Sequence, residues 1–299
     1  MTKAQRRPID EIVRAEWGKS PKDRQLFNDT WAVIRGGVGE EFAEENRWIR
    51  DRTRAQHRLE HREPMSEREL ALMVASRDGK GKVHTNYRHE TYVGVRDGEP
   101  KEAVYGSLLD VDGEPMMFMG YAARKRWFRD PKAEDLRGLL SQLMYKLNEH
   151  SKKLYGKPIR YVAIEIEPHQ GKDIPLARWA MEELGAYPLD LGKPGYTQPG
   201  IDFEEVGKAG YKPEKLLLLF GDLRRKATRG GAKSRTYNRD LLLKVVEGAI
   251  LDKEYREFSK PGPAWTRETS PALQNFRRSI EGNKRIGYDL SQLNWIYRK

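Results

Sequence analysis

Glu165 and Glu167 stand in the run Tyr161-Val162-Ala163-Ile164-Glu165-Ile166-Glu167, alternating with isoleucines. Side chains of a strand leave alternate faces, so both carboxylates share one face and Ile164 and Ile166 the other. Crowded carboxylates raise each other's pKa, which suits a general base near neutral pH. Glu167, near the strand's end, is the preferred base, with Glu165 beside it. The plainer reading of the same pattern is a wet sheet edge.

Two groups of cations point to anions. Arg124, Lys125, Arg126 and Arg129 fall in a loop before a helix expected from Glu134, and Arg137-Gly138 fall in its first turn. A helix start offers unpaired N–H groups and partial positive charge, which together favour phosphate. The second group is Arg224, Arg225, Lys226, Arg229, Lys233, Arg235 and Arg239, with no acid before Asp240. Gly230-Gly231 at its centre makes this a flexible loop rather than a helix. Residues 223–299 hold 18 Lys+Arg and 8 Asp+Glu, whereas residues 1–222 hold 38 and 37, so the net charge of +11 sits mostly in a basic C-terminal region. Such a region attracts polyanions such as nucleic acid through counterion release. A solvated linker, or a site for the phosphates of a small cofactor, is the plainer alternative.

Composition removes whole classes. The 299 residues include no cysteine, so disulfides, a thiolate nucleophile and Cys-ligated metals are excluded. No apolar run approaches the ~18 residues needed to span a membrane. Met1 to Glu11 is polar with no apolar stretch, so a cytoplasmic protein is expected. His57-Arg58-Leu59-Glu60-His61 matches a zinc-peptidase pattern, but Arg52, Arg54, Arg62 and Glu63 flank it, and a solvated helical face is the better reading. Gly36-Gly37-Val38-Gly39 lacks the Lys-Ser/Thr of a phosphate loop and reads as a break between helices. His84 and His89 read as surface. Trp265, Phe276, Trp295 and Tyr297 read as core.

The elements that must position these groups follow from periodicity. Residues 8–62 read as helical, with Leu26, Phe27, Trp31 and Ile34 at helical spacing, and Ser66 with Glu69 caps a short helix at 66–76. Strands at 92–95, 103–111 and 116–121 are separated by Asp97-Gly98 and Asp112-Gly113, an antiparallel meander. A helix over 134–154, a strand at 161–167, a helix over 176–184 ended by Gly185, and a strand at 215–220 come next. A helix over 241–258 ends at Pro261-Gly262-Pro263, and one or two short helices close the chain.

At this order of elements residues 90–222 resemble the GCN5-related N-acetyltransferase (GNAT) superfamily. The most specific similarity is a strand ending Glu165-Ile166-Glu167-Pro168, a helix ending Leu184-Gly185, then Tyr196-Thr197-Gln198-Pro199 and a Leu-rich strand at 216–219. The resemblance implies an α+β fold with a GNAT-like mixed, mostly antiparallel sheet. The expected organisation is a helical N-terminal region (1–80), an acyltransferase domain (81–222) and a basic helical C-terminal extension (223–299). It also implies an acyl-CoA-dependent N-acyltransferase, with acetyl-CoA the implied donor and a small-molecule or macromolecular amine as acceptor, without a metal. The donor's pyrophosphate would lie on the loop 124–138 and its pantetheine arm between strands 116–121 and 161–167. Many members place a tyrosine, as general acid for the departing thiolate, where this chain has Met181. The nearest phenols here are Tyr187 and Tyr196, and Tyr196 joins Glu165 and Glu167 as a catalytic candidate. The loop carries one glycine, Gly138, where the family's loop usually carries two small residues. The alternative expectation is a nucleic-acid-binding or nucleic-acid-modifying protein whose basic C-terminal region supplies the affinity.

Overall fold

The computed structural model describes residues 11–38, 43–66, 88–124, 134–166, 174–193, 195–198, 214–228, 230–246 and 271–292. The strands are β1 (Glu11–Arg14), β2 (Arg88–Arg96), β3 (Glu99–Val111), β4 (Glu114–Arg124), β5 (Tyr161–Ile166), β6 (Tyr187–Pro188), β7 (Tyr196–Gln198), β8 (Glu214–Asp222), β9 (Tyr237–Asn238) and β10 (Arg285–Ile286). The helices are α1 (Pro21–Val38), α2 (Ala43–Glu60), α3 (Glu134–Tyr155), α4 (Ile174–Trp179), α5 (Arg239–Leu243) and α6 (Pro271–Ile280). β1 to β8 form one mixed sheet in the order β1-β2-β3-β4-β5-β8-β6, with β7 paired to β8, while β9 and β10 form a separate ribbon. The expected α+β class with a mostly antiparallel sheet is therefore the class observed.

The meander turns where the sequence requires. Asp97 and Gly98 take φ of 52° and 73°, and Asp112 and Gly113 take 54° and 76°. Two successive positive-φ residues make the hairpin turn whose twist matches that of the strands.

The chain forms two compact units. The first comprises Met1–Val74, Arg88–Ser107 and Gly120–Glu149. Its N-terminal stretch corrects an expectation, because residues 11–14 are a strand and not helix. Glu11 pairs with Val95 and Arg14 with Tyr92, antiparallel. Ile12 and Val13 are β-branched and better suited to a pleated sheet than to a helix. α1 then starts at a reciprocal cap, with Asp23 N–H donating to Ser20 Oγ (3.1 Å) and Ser20 N–H to Asp23 Oδ2 (3.3 Å). Phe27, Trp31 and Ile34 are buried, as their spacing predicts. The short helix expected at 66–76 falls, after Ser66, outside the described residues.

The helix carrying His57 is not the solvated face expected from its flanking charges, because Asp51, Arg52, Thr53, Ala55, Gln56 and His57 are all buried. His57 is fully buried, and its Nδ1 accepts from the Trp17 N–H at 3.0 Å. Since Nδ1 must be bare to accept, a neutral ring carries its proton on Nε2. Arg14 Nη2 lies 3.3 Å from that Nε2. Arg14 also donates through Nε to the fully buried Glu90 at 2.6 Å and meets Glu16 at 2.9 Å. Burial works against the Arg14 charge, but the neighbouring carboxylates, Glu90 first, more than offset it and raise its pKa. Among the described residues no group of three His, Asp or Glu could hold a metal. No helix among them is long and apolar enough to cross a membrane.

The second unit comprises Ala75–Tyr87, Leu108–Met119 and His150–Lys299. Met116 to Met119 of β4 pair in parallel with Tyr161 to Ile164 of β5. β8 runs antiparallel to β5, from Tyr161 opposite Asp222 to Ile166 opposite Leu217. Met116, Met117, Met119, Val162 to Ile164 and Leu218 to Phe220 are all buried, which explains the nearly continuous apolar runs in the sequence. α4 continues as a wider turn through Leu184 and ends at Gly185 with φ 64°, as expected. A Cβ on Gly185 would lie 2.6 Å from the Ala227 nitrogen, so only glycine fits.

The C-terminal residues add more than helices. α6 is one of the expected short helices, with Phe276 fully buried, and Trp265, Trp295 and Tyr297 lie outside the described residues. The ribbon β9–β10, however, is not visible in the periodicity. Arg285 pairs with Asn238 and Ile286 with Tyr237, two residues each, too short to leave an alternating signature. The helix expected at 241–258 starts earlier, at Arg239, capped by Asn238 Oδ1 on the Asp240 N–H at 2.7 Å. Residues beyond 246 in that span lie outside those described.

Behind the ribbon the Tyr288 hydroxyl donates to the Phe220 carbonyl at 3.0 Å, which leaves the Tyr237 hydroxyl to donate to Tyr288. Burial pushes both phenols above the ordinary value of 10.0. Tyr288→Phe removes one hydroxyl and strands two buried partners, at a cost of about 1–3 kcal/mol. A raised folded-state pKa gives stability that is complete below the unfolded value and lost as pH rises toward the folded one. Denaturant titrations will therefore show wild-type stability falling above pH ~10, with a shallower fall in the variant.

Candidate active site

Glu165 and Tyr196 are brought together by register. Glu165 lies opposite Leu218 on β8, and Tyr196 lies opposite Leu216. Residues opposite one another in an antiparallel pair point to the same face, and so do residues two apart on one strand. Glu165 and Tyr196 therefore share a face, and the Tyr196 hydroxyl donates to Glu165 Oε1. Tyr196 is buried and Glu165 half-buried, so the phenol is held in the protein while the carboxylate retains access to water.

The C-terminal helix fixes the phenol. Phe276 of α6 meets the Tyr196 ring edge-on at a centroid distance of 6.1 Å. Ser279 Oγ accepts from the Gly195 N–H at 2.7 Å, and Asn275 Nδ2 donates to Thr197 Oγ1 at 3.3 Å. Residues on both flanks of Tyr196 are thus tied to α6, which packs on β7. These supports, Asn275, Phe276 and Ser279, come from residues about eighty positions downstream. Sequence spacing carries no signal for them.

The other candidates fall as follows. Glu167, Lys125, Arg126, Arg129 and Arg229 lie outside the described residues. Arg124 ends β4, and its side chain lies outside the description. Arg137 and Gly138 are exposed near the start of α3, in the first unit. Met181 is buried core, and Tyr187 packs against Tyr288 at 5.2 Å. Of the two nearby phenols, Tyr196 is held on a carboxylate. Arg224, Arg225, Lys226 and Lys233 are exposed, and Arg235 and Arg239 half-buried.

A phenol donating to a half-buried carboxylate can do acid–base chemistry. The carboxylate can take a proton from an approaching amine, and the phenol can pass one on.

No family model matches the sequence, and no curated protein matches it. Solved structures similar to the chain include the ribosomal-protein-S18-alanine N-acetyltransferase from Escherichia coli, at 10% identity and a TM-score of 0.35, covering 73% of this chain and 98% of that one. An IAA acetyltransferase from Bacillus cereus is 13% identical with a TM-score of 0.33, covering 71% and 99%. An aminoglycoside 6'-acetyltransferase type Ii is 7% identical with a TM-score of 0.37, covering 72% and 99%. What carries the fold is the sheet itself: the meander, the parallel β4–β5 pair and the antiparallel return of β8, the GNAT-like order expected from residues 90–222.

Proposed function

We propose that the protein is an acyl-CoA-dependent N-acyltransferase, with acetyl-CoA as donor and an amine as acceptor. The observation that carries this reading is the hydrogen bond from Tyr196 on β7 to Glu165 on β5, a strand of the parallel β4–β5 pair. In the reaction a neutral amine attacks the thioester carbonyl. The N–C bond forms, the C–S bond breaks, the amine proton passes to Glu165, and the thiolate leaves with a proton from the buffered Tyr196–Glu165 pair. Glu167, two residues on, is the second candidate for the base.

The start of α3 supports the donor-binding half. Gly138 is exposed, and a Cβ placed there would meet nothing within 4 Å. Glycine inside a helix costs roughly 0.5–1 kcal/mol relative to alanine, and no packing here explains that cost. Close approach of a phosphate to the backbone near a helix start would explain it. Arg137 beside it, with Arg124, Lys125, Arg126 and Arg129, would supply the charge.

Gly138→Ala separates the two effects by sign. The variant will be more stable by about 0.5–1 kcal/mol in denaturant titration. It will bind acetyl-CoA at least about tenfold more weakly in calorimetry, a loss of about 1.4 kcal/mol. An unchanged affinity would remove the phosphate from this helix start.

A further inference from the structure

We infer that the loop over residues 224–235 and the ribbon β9–β10 together form a nucleic-acid-binding surface that engages the phosphodiester backbone. This surface lies apart from the Tyr196–Glu165 pair in its residues, and the inference does not depend on acyl transfer.

The loop is not the flexible segment its glycines suggest. Asp222 Oδ1 accepts from the Arg224 N–H at 3.0 Å, and Ala227 presses against Gly185 with its backbone. Thr228 carries the next turn, its carbonyl accepting from the Ala232 N–H at 2.8 Å and its hydroxyl from the Gly231 N–H at 3.2 Å. Ala227 and Ala232 are buried, and Tyr237 and Ile286 anchor the ribbon beneath. The small residues thus point inward and the cations outward. A pinned loop loses little conformational freedom when it binds, unlike a linker.

Among the described residues Arg225, Lys226, Lys233, Arg235, Lys284 and Arg285 have no carboxylate within ion-pair distance. Arg225, Lys226 and Lys233 are exposed. Lys284 and Arg285 join the surface through the ribbon: Arg285 pairs with Asn238 and donates to Thr236 Oγ1 at 3.4 Å, and the Lys284 carbonyl accepts from Arg239 N–H at 3.1 Å. Glu114 takes Arg224 and Arg160, and Asp240 takes Arg239. Glu281 is exposed and Asp289 holds Ser291. Cations spread over three chain segments suit a repeating polyanion better than one small anion, which needs a closed site.

The chemistry of the patch selects nucleic acid over a lipid surface. The large hydrophobic side chains exposed among the described residues are Leu59, Tyr145 and Leu154, and none belongs to this surface. A patch that inserts into a membrane carries apolar side chains, and purely electrostatic lipid binding is separated by the vesicle arm of the test below.

The test is fluorescence anisotropy with the full chain and labelled 20-mers, duplex DNA and single-stranded DNA in parallel, across a salt series. Wild type will bind both, and log K will fall with log salt at a slope steeper than about −3 on duplex, given about −0.9 per phosphate neutralised. The triple variant Arg225→Glu, Lys226→Glu, Lys233→Glu will lose at least about tenfold in affinity and flatten the slope by about 2–3. The charge-neutral triple glutamine variant will lose less. Thermal unfolding and the acetyl-CoA response of both variants will match wild type, which separates failure here from failure of the acyltransferase reading. Absence of binding at low salt, a triple variant that binds like wild type, or labelled polyglutamate or anionic vesicles binding as tightly as DNA would each overturn the inference.

Discussion

Glu165→Gln will lower the rate of thiol release from acetyl-CoA, with an accepted amine, by about a hundredfold or more, the typical contribution of a positioned general base. The substitution is nearly isosteric, and the Tyr196 hydroxyl can still donate to the amide oxygen, so the local geometry survives. What disappears is the ability to accept a proton. Acetyl-CoA binding should be unchanged, which places the loss in the chemical step rather than in donor affinity. Tyr196→Phe will act through Glu165 and shift the pH profile of the rate, because the carboxylate loses a donor that favours its ionised form. Glu167→Gln is the paired control. A large loss there together with a normal rate for Glu165→Gln would move the base two residues along the strand, to the position the sequence favours.

The largest effect on stability belongs to Arg14→Met. Glu90 is fully buried and takes Arg14 Nε at 2.6 Å. Removing one member of a buried ion pair takes away the counterion that Arg14 supplies to Glu90, typically at a cost of about 3–5 kcal/mol. The variant will unfold at distinctly lower denaturant than wild type. The double variant Arg14→Met, Glu90→Gln will recover much of the loss, because the buried carboxylate charge is gone as well. A double variant as unstable as the single one would show that Arg14 acts through its contact with His57 and not through its charge.

The parts of the fold written in local chemistry were legible. Asp-Gly turns demand positive φ, a leucine face demands a helix, and Gly185 ends one where an alanine backbone crowds it. β1 was not legible. Four residues with two β-branched side chains cannot announce a strand whose partner lies about eighty residues away, and the charged helices that follow dominate the pattern. The β9–β10 ribbon failed for the same reason. For the site, alternation puts Glu165 on one face of its strand, and the Tyr196 motif singles out the phenol. Their meeting depends on the β8 register, which only the folded sheet supplies. His57 makes the converse point. Its spacing suggests a metal, whereas the fold buries the ring and commits Nδ1 to the Trp17 N–H.

Titration of the 299-residue chain with acetyl-CoA, followed by thermal unfolding and calorimetry, bears most directly on whether this sheet seats a thioester donor. Saturable binding is expected, with a melting temperature that keeps rising with the logarithm of ligand concentration once the site is filled. No heat and no shift at millimolar acetyl-CoA would contradict it.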